Sequence, residues 1–389
     1  MLDNDKVVRV TSFFLGLLSV FSIFISFSTE SVSGGVYTYY YLIVMILPLT
    51  YFFINFSLVV NSGKRTGYLF LIIFLFMLVL ASIINETSLQ YICIMIWCCI
   101  SGAMLGSTMT YLKYESSRIL ELYICINVLF LFYQILLVAV SGENSYIHGQ
   151  IFSFSRQEYS MIEFDQFFRF SGYQLEPGSY STIVALACFM YKECKGRANY
   201  IYFIASFSIV LTLSTIGFLF FLLLMINTFN LKELSVKKML LLFFLLLFAM
   251  AVLQYLGVFE YLFERFSGGM MTDSSSSVKV ENVRFYMDNV DISKFLFGYG
   301  IFPDLNSCTN CGHIKSNGVI FYTLFTFGTL VSIFLLFLIV LRLVIGFDFL
   351  LLSLSFLLIR YTPLYPIYWT VLTFMLVYKK NEKNIIHTA

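Results

Sequence analysis

The sequence predicts an all-α polytopic membrane protein with about twelve transmembrane helices. Three observations carry that reading. Of the 389 residues, 59% are hydrophobic and only 12% charged, against roughly a quarter charged in soluble domains. The mean hydropathy is +0.86. The apolar residues gather into runs close to the roughly 20 residues a helix needs to cross the hydrocarbon core. The formal net charge of +2 says little about partners, because charges in such a protein are sorted by side of the membrane. No nucleic-acid partner is expected. The 45 Phe and 27 Tyr suit lipid-facing and interfacial surface.

In chain order, the candidate spans run at roughly 10–28, 36–60, 67–84, 89–112, 118–141, 177–191, 198–213, 216–230, 238–256, 317–345, 347–360 and 363–379. The first has no small-residue cleavage site behind it and leads straight into further spans, so it reads as a retained helix. The seventh and eighth are short and meet at "LTLSTIGFLFF"; the eleventh is also short. With the N-terminus placed inside, sixteen of the 24 Lys and Arg fall in inner segments. The short outer loops "STESVSGG" and "NETS" hold none. This obeys the positive-inside rule and predicts that both termini are cytoplasmic. Merging the seventh and eighth spans would invert half the protein and lose the agreement.

The eight outer bases are Arg156, Arg169, Arg265, Lys279, Arg284, Lys294, Lys315 and Arg360. All but Arg360, at the end of the eleventh span, lie in two long segments, 142–176 and 257–316. Loops of that length in a compact protein are commonly functional. In the second, Ser274 to Ser277 can cap a helix on which Val280, Val283, Met287 and Val290 share one face. The expectation is an interfacial helix with Arg284 pointing inward; a merely snorkelling arginine is the plainer alternative. Cys308 and Cys311 form C-x-x-C in this loop, as a disulfide if the outside is periplasm or as two thiols. Gly102 and Gly106 suggest close helix packing within the chain.

Several motifs then line up. They are "RFSGYQLEP" (Arg169, Gly172, Glu176, Pro177) before a helix and "LTLSTIGFLFF" around Ser214 and Gly217. Further on come "VRFYMDN…FLFGYG" (Arg284, Gly298, Gly300) and "GHIKSNGVIFYTLFTFGTL" (His313, Asn317, Gly328). Over roughly 165–330, their order and spacing resemble the O-antigen polymerase (Wzy-like) and O-antigen ligase group of membrane glycosyltransferases. Many relatives have a basic residue after the serine matching Ser214, where this chain has Thr215. The resemblance implies a GT-C-like fold in the bacterial inner membrane, acting at the periplasmic face. The enzyme would polymerise undecaprenyl-pyrophosphate-linked repeat units into O-antigen or a related surface polysaccharide, alongside membrane lipids and a chain-length regulator protein. "EP" after the glycine suits the polymerases better than the ligases, which transfer finished glycan to lipid A-core.

That chemistry suits the residues. Departure of the lipid pyrophosphate builds negative charge, and planar guanidiniums bind phosphate oxygens in pairs at any relevant pH. Arg169 and Arg284 are the expected clamp. No D-x-D pair accompanies them, and Asp288 and Asp291 stand three apart, so neither metal nor cofactor is expected. The acceptor hydroxyl needs a proton acceptor. His313 and Glu176 are the candidate catalytic bases; Glu176 also reads as an orienter of Arg169 or as a carboxylate favoured at a helix N-terminus. A lipid-oligosaccharide flippase or transporter is the competing class. It would favour internal repeats and ionisable residues at mid-membrane, where this chain shows only a few polar residues such as Asn127 and Gln134.

Overall fold

The structure, a computed structural model, describes residues 2–25, 36–56, 65–141, 170–228, 274–301, 314, 317–345 and 350–378. Among them are thirteen helices and no strand. They are α1 (Leu2–Ile23), α2 (Val36–Ile54), α3 (Arg65–Ile84), α4 (Leu89–Tyr111), α5 (Lys113–Ser141), α6 (Pro177–Lys195) and α7 (Tyr200–Val210). They continue with α8 (Thr215–Thr228), α9 (Ser274–Asn289), α10 (Ile292–Phe297), α11 (Val319–Ile345), α12 (Leu350–Leu358) and α13 (Pro366–Val377). By length and composition, four stretches among the described residues can cross a membrane: Thr66–Ile84, Leu89–Tyr111, Lys113–Ser141 and Val319–Leu343. Shorter apolar helices lie beside them. This is a helical membrane protein. The predicted span 238–256 lies outside the described residues, as do most of both long loops.

α6 is the central helix. Nearly every residue from Pro177 to Tyr191 is buried, although the sequence is rich in Ser, Thr and Tyr. Protein rather than lipid surrounds it, so its hydroxyls find partners. Ser181 and Thr182 donate to the carbonyls one turn back (3.0 and 2.8 Å), and the Tyr180 hydroxyl pairs with that of Ser208 on α7 (2.8 Å). Around α6 pack α5, α7, α8 and α12, while α13 lies along α4. Gly102 and Gly106 make the α4–α13 approach possible. A Cβ on Gly102 would lie 2.6 Å from Trp369 Cβ, and one on Gly106 would lie 2.6 Å from the Thr370 carbonyl oxygen. The glycine pair therefore serves internal packing.

Helix ends assigned to one side by charge meet at one end of the bundle. Ser12 and Tyr51 both donate to Glu115 (2.9 and 3.2 Å). Lys195 pairs with Glu121 at 3.4 Å. Arg342 and Glu193 both bond to Tyr378, through the Tyr378 carbonyl (3.1 Å) and hydroxyl (2.6 Å) respectively, and Lys113 lies 4.2 Å over its ring.

Two sequence expectations change. Span 317–345 is broken: α11 kinks at Gly328, whose backbone (φ 82°, ψ −179°) is not helical. The chain leaving α10 docks in that break. Tyr299 and Gly300 donate to the carbonyls of Phe325 and Thr326 (2.8 and 2.9 Å), Asn85 to that of Phe297 (2.6 Å), and Thr329 to that of Phe295 (2.7 Å). The glycines of "FLFGYG" and "FTFGTL" thus lock two backbones together. The second change is on α9. Of the predicted stripe, Val280, Val283 and Met287 are exposed, as is Arg284, while half-buried Val290 packs toward the aromatic rings. The packed side carries Phe285 and Tyr286, which meet Tyr299 and Phe325, and the buried Asn282, which bonds to Asn317. The large rings bury more surface by packing on one another than the aliphatic stripe could, so Arg284, on the other side, is left exposed.

Candidate functional site

Three non-helical stretches converge where α6 begins: 170–176 before it, 211–214 between α7 and α8, and 359–365 between α12 and α13. Most of their residues are buried. Irregular backbone is tolerated at membrane depth only where protein covers it or it lines a cavity, so such convergence is a place to look for function.

The first stretch is positioned by the polar residues of α5. Gln134 Oε1 accepts from the backbone N–H of Ser171 and of Gly172 (3.0 and 2.9 Å). Asn127 donates to the Tyr173 hydroxyl (2.9 Å) and accepts from Gln174 (3.0 Å). Asn127, Gln134 and Gln174 are fully buried. Buried amides of this kind must be satisfied, and together they specify one path for the backbone. The two mid-span polar residues are therefore anchors of the "RFSGYQLEP" segment.

That path delivers Glu176 to the N-cap of α6, with Pro177 in the first turn. Its side chain makes no capping bond. Instead Oε1 takes an ion pair from Arg360 Nη1 at 3.3 Å and a hydrogen bond from Ser179 at 3.4 Å. Oε2 has no hydrogen bond from any described residue. Both partners of the ion pair are about one-third exposed (36% and 30%), which leaves the carboxylate reachable. Tyr361, beside Arg360, is buried, and its hydroxyl has no hydrogen-bond partner among the described residues. It lies near Ser179 without a formed bond. Burial pushes its phenol well above the usual value and Glu176 adds to the shift, so it is a neutral donor. Gly178 keeps the floor open: a Cβ there would stand 3.6 Å from Ser214 Oγ and 3.7 Å from Glu176 Oε1.

Among the described residues the site is thus a carboxylate with one occupied oxygen, a guanidinium, two serine hydroxyls and a phenol. Such a set can take a proton from a hydroxyl and hold a polar ligand. Arg360, noted in the sequence only as an outer base, is the residue whose role went unread. Its one available signal was being a base among apolar residues just before "YTPLYP". Arg284 sits exposed on α9. Asp291 caps α10, accepting from Lys294 N–H at 2.6 Å. Arg169, His313, Cys308 and Cys311 lie outside the described residues. Ile314, next to His313, is buried against Tyr286, Tyr299 and Phe325. Among the described residues no three His, Cys, Asp or Glu side chains gather as a metal site requires. No protein family, curated protein or solved structure matches the chain.

Proposed function

We propose that this protein is a membrane glycosyltransferase that polymerises undecaprenyl-pyrophosphate-linked oligosaccharide repeats. It works at the periplasmic face of a bacterial inner membrane, with twelve spans in a GT-C-like arrangement and both termini cytoplasmic. The observation that carries this reading is the partly exposed Glu176–Arg360 pair at the meeting of three helix breaks. Glu176, whose Oε2 takes no hydrogen bond from any described residue, accepts a proton as an acceptor sugar hydroxyl attacks the anomeric carbon of the donor. The new C–O bond forms as the bond from that carbon to the pyrophosphate oxygen breaks, and undecaprenyl pyrophosphate leaves. Arg169 and Arg284 meet the charge on the departing phosphates. His313 is the second candidate base.

The experiment is a deletion strain, with its surface polysaccharide resolved on a gel and complemented by variants. A band carrying a single repeat is expected in the deletion. The same band is expected from Glu176→Gln and from Arg169→Ala or Arg284→Ala, with Lys restoring little at either arginine because it cannot make the paired contact. A bare core in the deletion strain points to ligase or flippase and rejects the proposal. Full-length polymer from Glu176→Gln removes Glu176 as the base.

A further inference from the structure

α9, α10 and the first turns of α11 enclose a second polar–aromatic cluster, apart from the residues around Glu176. Tyr286 and Tyr299 meet edge to face with ring centroids 6.2 Å apart. Both pack on Phe325, Tyr286 at 6.0 Å and Tyr299 stacked at 4.7 Å. Asn282 stands one turn before Tyr286 and is fully buried. It donates to Asn317 Oδ1 at 3.0 Å, while Asn317 donates to the Lys279 carbonyl at 2.9 Å. A backbone carbonyl only accepts, so this chain sets the orientation of both amides. The consequence is that Asn282 Oδ1 is left over. Among the described residues it has no partner, and neither do the hydroxyls of Tyr286 and Tyr299. Burial holds both phenols above their usual range, and on Tyr299 the nearby Asp291 carboxylate and the Tyr286 phenol add to the rise.

Unpaired buried polar atoms are costly and rare, and three in one cluster ask for a ligand. The cluster's chemistry narrows the choice. The three atoms are uncharged, which does not suit a phosphate or a metal ion. An acyl chain has no use for them. A sugar ring offers hydroxyls around its edge and C–H faces that lie against aromatic rings. We infer that this cluster is a binding site for a neutral hexopyranose ring, with Asn282 Oδ1 accepting from it and the hydroxyls of Tyr286 and Tyr299 completing the contact.

The test uses the full chain in detergent micelles. Saturation-transfer NMR is run with methyl β-D-glucopyranoside, methyl β-D-galactopyranoside and methyl α-L-rhamnopyranoside in turn, on the wild type and on Tyr286→Phe/Tyr299→Phe. The phenylalanines keep the rings and remove only the two hydroxyls. At least one glycoside should show transfer, and its affinity should fall roughly tenfold or more in the double variant, because two hydrogen bonds to the ligand are lost. The unliganded double variant should melt at the same temperature as the wild type or higher, since it no longer buries two unpaired hydroxyls. Three results would each overturn the inference: no transfer from any of the three glycosides, unchanged binding in the double variant, or a lower melting temperature of the unliganded variant. Because binding is read without turnover, the site stands or falls separately from the proposed polymerase activity.

Discussion

Replacing Gly328 by Ala tests whether the α10 segment is held by the break in α11. At φ 82° and ψ −179° the residue occupies a region that is almost the preserve of glycine, and an L side chain there costs roughly 1–3 kcal/mol. The added Cβ would also lie 2.5 Å from Phe297 N and press on the Leu296 carbonyl. Both obstacles are backbone, so no side-chain rotation relieves them. The docked chain must retreat and give up the Tyr299 and Gly300 hydrogen bonds to α11, each worth a net ~0.5–1.5 kcal/mol. The sum is roughly 2–6 kcal/mol. The loss is local, so hydrogen exchange is the assay. The Tyr299 and Gly300 amides should exchange about 30-fold faster at the low end of that range and about 10³-fold faster near its middle. Gly196→Ala is the control. Gly196 also has a positive φ (79°), but nothing lies within 4 Å of its added Cβ, so protection at Tyr299 should stay as it is. Wild-type protection of both amides in Gly328→Ala would refute the lock.

The remaining expectations concern the site. Arg360→Ala should change thermal stability by no more than about 1 kcal/mol, because the pair is partly exposed, yet lower polymer formation with partial rescue by Lys; full activity of Arg360→Ala would show that the pair is ornamental. His313→Ala should lower turnover by roughly 10²–10⁴-fold if His313 is the base, with an acid limb below about pH 6 as an ordinary imidazole protonates; wild-type turnover with that limb intact would leave Glu176 as the base. Turnover of the purified protein should survive a strong chelator, since arginines meet the phosphate charge. Loss that magnesium or manganese restores would redirect attention to Asp288 and Asp291.

Local chemistry made much of this protein legible from its residues alone. Whether a stretch is apolar is a property of that stretch, and a helix lies in each predicted span other than 238–256, which is outside the described residues; only four of the described stretches are long and apolar enough to cross a membrane. The internal use of Gly102 and Gly106 was equally readable, because small residues at that spacing admit a close neighbour. What depended on distant partners was not readable. Asn127 and Gln134 looked like stray polar residues in a span until the 170–176 segment came to rest on them. The apolar stripe of α9 was correct as a pattern, but which side faces protein depended on the rings of α10 and α11. The kink at Gly328 follows from a carbonyl pressed against it from another segment. Glu176 and Arg360 are 184 residues apart, and hydropathy says nothing about which charge meets which. Their pairing was decided only when the breaks before α6 and before α13 packed against the same buried helix.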